Sequence, residues 1–146
     1  MATVSAPIRW GRIALAGVLA PLLGFALVTL IVTVYATYLA IQARGQPDTA
    51  LINQFAAQVA PWATPAVTAL LTLLGAIWVA RAAPLRAQLH GLLVGVAAAL
   101  VSLLLSLLGS RGVQLTTLVA CALIVVVGWV GGLIATRAGR TSATPS

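Results

Sequence analysis

The stretch that decides the fold is residues 13–41, IALAGVLAPLLGFALVTLIVTVYATYLAI, which contains no charged residue. As a helix it would be about 43 Å long at about 1.5 Å per residue, more than the roughly 30 Å hydrocarbon core of a bilayer. The apolar part of a signal peptide has only about 7–15 residues. We therefore predict a retained transmembrane helix that tilts or projects into an interface, with Pro21 placed to kink it.

The rest of the chain is equally apolar. Of its 146 residues, 62% are hydrophobic and 6% are charged, against about 25% charged residues in soluble domains. No run alternates polar and apolar residues as a membrane β-strand does. The sequence predicts an all-α, polytopic membrane protein whose single domain, residues 1–146, is a bundle of four transmembrane helices. The predicted spans are residues 13–41, 62–80, 89–108 and 113–136, with cytoplasmic tails at 1–12 and 137–146.

The connection between the first two spans, residues 42–61, contains apolar residues at helical spacing. Leu51, Ile52, Phe55 and Val59 recur on one face, and Asp48 or Thr49 is placed to cap a helix there. This pattern predicts a short interfacial helix that rests on the bundle, and an ordinary loop is the alternative.

The arginines predict the orientation. The N-terminus, the second connection and the C-terminus carry six of them, namely Arg9, Arg12, Arg81, Arg86, Arg137 and Arg140, against Arg44 and Arg111 on the other side. The positive-inside rule then places both termini in the cytoplasm. Because these arginines are scattered at helix ends, we interpret them as topology determinants and contacts for anionic lipid headgroups, and we expect no nucleic-acid partner. A chain rich in Ala and Arg without Lys hints at a bacterium, so we expect a bacterial cytoplasmic (inner) membrane.

Small residues recur every four positions along each predicted span. Such stripes let helix backbones approach closely within lipid. The residues we assign to helix packing are Gly24, Thr72, Gly91, Gly95, Gly128 and Gly132. A hydroxyl-lined path for a solute is the alternative interpretation of the Ser and Thr positions.

Two helix ends resemble each other, since residues 75–83 and 131–139 both lead from glycine to an Ala-Arg or Thr-Arg pair. Duplication of a helical hairpin is one explanation, and chance similarity between small-residue helices is the other.

A further likeness rests on Gly75-x-x-x-x-Ala80-Arg81, on His90-Gly91-x-x-x-Gly95, and on Gly131-Gly132 before Arg137. Across residues 70–140 the chain resembles small four-helix bacterial membrane proteins of uncharacterised function. A Gly75-Ala76 pair departs from their glycine–glycine signal. The resemblance implies fold and location and does not imply an activity.

Few residues suggest chemistry. His90, the only histidine, is a candidate ligand for a chlorin or a metal, but without Cys, Asp or Glu neighbours we prefer an interfacial headgroup contact. No acidic or basic residue lies inside a span, and the chain has no glutamate. Ion-coupled transporters depend on such groups at membrane depth. We therefore expect neither an enzyme nor a proton-coupled transporter, and no cofactor.

Three functions remain open. The leading one is an accessory, structural or oligomerising membrane subunit that acts through helix–helix contacts, because four small-residue stripes exceed what one bundle obviously needs. The partner would be a second copy or another membrane subunit. The alternatives are a facilitator of a small neutral solute and a cofactor-carrying subunit that uses His90.

Overall fold

The computed structural model describes residues 8–83, 86–109 and 114–141. Within these ranges the chain is all-α, and each helix contains a window long and apolar enough to cross a membrane. The helices are α1 (Trp10–Gln42), α2 (Thr49–Arg81), α3 (Ala87–Leu108) and α4 (Leu115–Thr141). The predicted four-helix, multi-pass membrane fold is therefore confirmed.

The helices form a bundle in the order α1, α2, α4, α3 around its axis, with α1 and α4 at opposite corners. The interior is made of small side chains, since Ala76, Val79, Val94 and Ala98 are fully buried. Larger apolar side chains such as Leu100 point outward. This inside-out distribution is expected where lipid, and not water, surrounds the bundle.

The second helix corrects one prediction. No separate interfacial helix exists, because α2 is continuous from Thr49 to Arg81 and contains Pro61 and Pro65. Proline removes one backbone hydrogen bond and usually ends or kinks a helix. Here the segment before Pro61 packs along α1, and the ring of Phe55 stacks on Tyr35 with centroids 4.0 Å apart. That packing continues the α1–α2 contact of the bundle and outweighs the lost hydrogen bond.

The predicted ends of the other helices shift by a few residues. Helix α1 begins at Trp10 and runs through Pro21, which is buried. Helix α4 extends beyond residue 136 to Thr141, so part of the predicted C-terminal tail is helical. Residues 84–85 of the second connection and residues 110–112 between the third and fourth predicted spans lie outside the described residues, as does the predicted start of the fourth span at residue 113.

The first two helices are much longer than α3. Contacts of α1 with α3 (Arg9 beside His90, Gly17 beside Ala97) put the end of α3 level with about residue 28 of α1. The last buried residue of α1 is Val28, and the first of α2 is Ala63. Residues 29–42 and 49–62 therefore project past α3 and α4 by about 20 Å. We call these two segments the extended hairpin.

Two exposed tryptophans bracket the four-helix part of the molecule. Trp10 is 63% exposed at the start of α1, and Trp62 is 65% exposed where the extended hairpin meets the bundle. The contact between Gly24 and Thr68 puts Trp62 level with about residue 30 of α1. The two levels are about 30 Å apart, which is the thickness of the hydrocarbon core. Tryptophan favours membrane interfaces, and the two rings are spaced as the two interfaces of a bilayer are.

Asp48 supplies the first test of this architecture. Its carboxylate accepts a hydrogen bond of 2.8 Å from the amide of Ala50 and so caps α2. We expect Asp48→Ala to destabilise the first turn of α2 by about 1 kcal/mol, whereas Asp48→Asn keeps a capping oxygen and has little effect. Hydrogen–deuterium exchange of the amides of residues 50–52 measures this. Equal exchange in the Ala and Asn variants would contradict the cap.

Candidate functional site

The closest helix contact joins α3 to α4 through four glycines. A Cβ atom built on Gly91 would stand 2.5 Å from the carbonyl oxygen of Gly128, and one built on Gly132 would stand 2.7 Å from the carbonyl oxygen of Ala87. A Cβ on Gly95 would stand 3.0 Å from the carbonyl oxygen of Ile124. Every one of these neighbours is backbone, which cannot move aside as a flexible side chain can. The two backbones touch, and no side chain fits between them.

The two other predicted packing residues are Gly24 of α1 and Thr72 of α2. A Cβ on Gly24 would collide with the Oγ1 atom of Thr68. Thr72 is fully buried one turn further along α2, and its hydroxyl donates to the carbonyl oxygen of Thr68 at 2.8 Å. The hydroxyl of Thr72 is therefore satisfied within its own helix.

Glycines at two further contacts complete the bundle. Gly17 of α1 lies against Ala97 of α3, and Gly131 of α4 lies where a Cβ would stand 2.8 Å from the Cβ of Ala76 on α2. All four sides of the bundle thus use small residues. The expectation that these stripes exceed what one bundle needs is wrong, because they are used inside the chain.

The described arginine residues other than Arg44 lie at one end of the bundle. Arg9 precedes α1, Arg81 ends α2, Arg86 precedes α3 and Arg137 lies near the end of α4. The side chain of Arg140 is outside what the structure describes, as is Arg111, while Arg44 lies at the opposite end. The described arginines are therefore distributed as the sequence predicts, with a strongly basic end and a nearly neutral one.

Arg12 shows a contact that the sequence did not reveal. Its guanidinium carbon stands 5.0 Å from the centroid of the Trp78 ring, within the range of a cation–π interaction. The two residues belong to different helices, and neither the spacing nor the composition of the sequence indicates their contact. The antiparallel pairing of α1 with α2 brings them to the same level.

His90 is buried, which its sequence context did not predict. It is 1% exposed, which contradicts the predicted headgroup contact. Its Nδ1 atom lies 2.9 Å from the carbonyl oxygen of Arg86, and its Nε2 atom accepts from the amide of Arg9 at 3.4 Å. This set of partners fits a neutral ring with the proton on Nδ1. His90 thus ties the start of α1 to the start of α3, and both nitrogens are already bonded.

The side chains that could bind a metal or act as nucleophiles do not cluster in the described part of the chain. In the described part of the chain, no three His, Cys, Asp or Glu side chains come together. Cys121 of α4 packs against α3, where its sulfur lies 3.6 Å from the carbonyl oxygen of Ala99. Within the same ranges, every buried side-chain nitrogen or oxygen atom has a hydrogen-bond partner. The interior therefore offers packing contacts and no cluster of free polar groups.

Comparisons with known proteins give no match among family models, curated proteins or solved structures. The resemblance to uncharacterised four-helix proteins accordingly stays a prediction.

Gly128 allows a direct test of the α3–α4 contact. A Cβ there would stand 2.7 Å from both the carbonyl oxygen of Gly91 and the Cα of Gly95, so Gly128→Ala must push the helices apart. We expect it to destabilise the protein by about 1–3 kcal/mol, although alanine is the better helix former.

Gly11→Ala is the matched control, because a Cβ on Gly11 meets nothing within 4 Å. We expect it to be neutral or slightly stabilising. Thermal unfolding in mild detergent compares the two variants with the native protein. A Gly128→Ala variant as stable as the Gly11→Ala variant would show that α3 and α4 do not approach this closely.

Proposed function

We propose that this protein is a small structural subunit of a bacterial cytoplasmic membrane, that it is not an enzyme, and that it assembles with a second copy through the extended hairpin. One observation carries the proposal, namely an exposed apolar stripe on the part of α1 that projects beyond α3 and α4. Both termini are in the cytoplasm in this proposal, by the positive-inside rule and the gathered arginines.

The apolar stripe consists of Leu30, Val34, Tyr38 and Ile41, which follow one another at helical spacing. Each of the four is more than half exposed. They face away from α2, because the half-buried side of this part of α1 is formed by Tyr35, Ala36, Leu39 and Ala40, and Tyr35 there stacks on Phe55 of α2. By the tryptophan levels, most of the stripe lies outside the hydrocarbon core. Exposed apolar surface that lipid does not cover favours contact with another protein.

Charge favours a second copy as the partner. The extended hairpin and its connecting turn contain one arginine, Arg44, and one acid, Asp48, so their net charge is zero. Two copies meeting there are not repelled, whereas the basic ends of two bundles repel each other. Two helical hairpins packed together also bury both faces of α1, which one hairpin alone leaves half exposed.

The two alternative functions, a solute facilitator and a cofactor-carrying subunit, receive less support from the contacts of the side chains they would use. Thr29, Thr33 and Thr37 each donate a hydroxyl hydrogen bond of 2.9 Å to a carbonyl of their own helix and lie on its exposed side. They do not face an internal path for a solute. Cofactor carriage would require His90 to give up at least one of its two backbone partners. Neither function is favoured by a specific contact.

The proposal predicts a self-association that depends on the apolar stripe. We expect the native protein to be a dimer or larger in mild detergent. The combined changes Leu30→Ala, Val34→Ala and Tyr38→Ala should weaken association at least tenfold, about 1.4 kcal/mol, because apolar contacts are lost at three positions. Size-exclusion chromatography with light scattering measures the protein mass across a concentration series.

The matched control removes equally exposed side chains from the lipid-facing side of α3, by Leu100→Ala, Leu104→Ala and Leu107→Ala. This control should associate like the native protein. A native protein that is monomeric at all concentrations would refute assembly with a second copy. Equal weakening by the two triple variants would show that the association does not use the extended hairpin.

A further inference from the structure

An apolar groove of about 300 Å³ runs along the outside of the bundle between α1 and α2. Its floor is formed by the small residues Ala16, Ala20 and Gly75, and exposed leucines form its walls. The groove exists because α1 and α2 approach closely at this level, where a Cβ on Gly75 would stand 3.2 Å from the Cβ of Ala16. The leucines on either side then stand above the floor as two ridges.

The groove lies within one leaflet of the membrane. Along α1 it extends from Leu15 to Leu23, which is about 12 Å of helix. Half of a roughly 30 Å hydrocarbon core is about 15 Å. Because Leu15 lies only three residues after Arg12, the groove begins near the surface of the leaflet at the arginine-rich end. It ends near the middle of the bilayer.

A fixed positive charge stands at the outer end of the groove. Trp78 belongs to the groove lining, and the guanidinium of Arg12 lies over its ring. The stacking restricts the arginine side chain, so less entropy is lost when the guanidinium binds an anion. A guanidinium also matches the geometry of a phosphate group, to which it can donate two parallel hydrogen bonds.

The chain itself supplies no carboxylate side chain for Arg12. Its single acidic residue, Asp48, caps α2 at the far end of the molecule. A counterion for the basic end must therefore come largely from the surroundings. At a membrane surface the abundant anion is the phosphate of a lipid headgroup.

We propose that the groove and Arg12 together form a binding site for one anionic phospholipid. The lipid phosphate binds the guanidinium of Arg12, and one acyl chain lies in the groove over Ala16 and Ala20. A zwitterionic phospholipid binds less well, because its positive headgroup meets a protein end that already carries several arginines. This site goes beyond the proposed self-association and does not depend on it, since it lies on the bundle and not on the extended hairpin.

Native mass spectrometry of the full-length protein in mild detergent tests the site. The probes are phosphatidylglycerol and phosphatidylcholine with identical acyl chains, and bound lipid is counted per protomer. We expect the native protein to retain one phosphatidylglycerol in preference to phosphatidylcholine. Arg12→Gln should lower the affinity for phosphatidylglycerol about fivefold, which corresponds to one lost basic contact near the surface. Leu19→Trp, which adds bulk to a groove wall, should weaken both lipids.

Matched controls separate this site from a general attraction of acidic lipid. Arg137→Gln removes an exposed arginine on α4, at the corner of the bundle opposite α1, and Leu104→Trp enlarges an exposed leucine on α3. Both controls should bind as the native protein does. Equal loss in Arg12→Gln and Arg137→Gln would overturn the site, as would retention of the two lipids without preference.

A second measurement needs no variant and so does not depend on folding of a mutant. Phosphatidylglycerol with a photoactivatable acyl chain is cross-linked to the native protein in vesicles, and the labelled residues are mapped. Labelling concentrated on residues 15–23 and 71–78 supports the site. Labelling spread evenly over the outward faces of all four helices would refute it. Because labelling is read within one chain, this result is separable from failure of self-association.

Discussion

The contact between the backbones of α3 and α4 sets the geometry of the whole bundle. Lipid chains are as apolar as leucine, so helices in a membrane gain little from hiding apolar side chains from their solvent. What holds them together is close van der Waals contact, which requires residues without bulk at the crossing. Gly91 and Gly95 meet Gly128 and Gly132 at that crossing. Adjacent faces of the same two helices then receive α1 at Ala97 and α2 at Gly131.

Because the small residues are used in contacts inside the bundle, the larger apolar side chains remain on its outer surface. The outward faces of the bundle carry leucines and valines suited to lipid, and they lie between the levels of Trp10 and Trp62. Past the level of Trp62, residues 29–42 of α1 and 49–62 of α2 run on together, and the described residues of α3 and α4 do not extend alongside them. The molecule therefore has three chemically different surfaces, namely a basic end, a lipid-facing belt and the extended hairpin. In the part of the chain that the structure describes, the extended hairpin is the surface that α3 and α4 leave uncovered.

The sequence predicted those features that depend on local composition. Charge-free runs gave the number of helices, and recurring small residues identified positions, such as Gly91 and Gly128, that the structure brings into contact. The predictions from the sequence were wrong where contacts with a distant segment determine the local structure. Helix α2 continues through Pro61 because α1 packs alongside it, and His90 is buried because the start of α1 covers it. Spacing along one helix also does not reveal whether its small residues meet another helix of the same chain or of a second copy.

The lone cysteine can show whether α3 and α4 pack within one chain or between two chains. Cys121 on α4 lies against Ala99 on α3, with its sulfur 3.6 Å from the carbonyl oxygen of Ala99. In the Ala99→Cys variant the two thiols should form a disulfide on mild oxidation, with the native protein as control. We expect a cross-link within one chain, seen by intact mass as a monomer that has lost two hydrogen atoms. A covalent dimer joined through these positions would show instead that α3 of one chain packs against α4 of another.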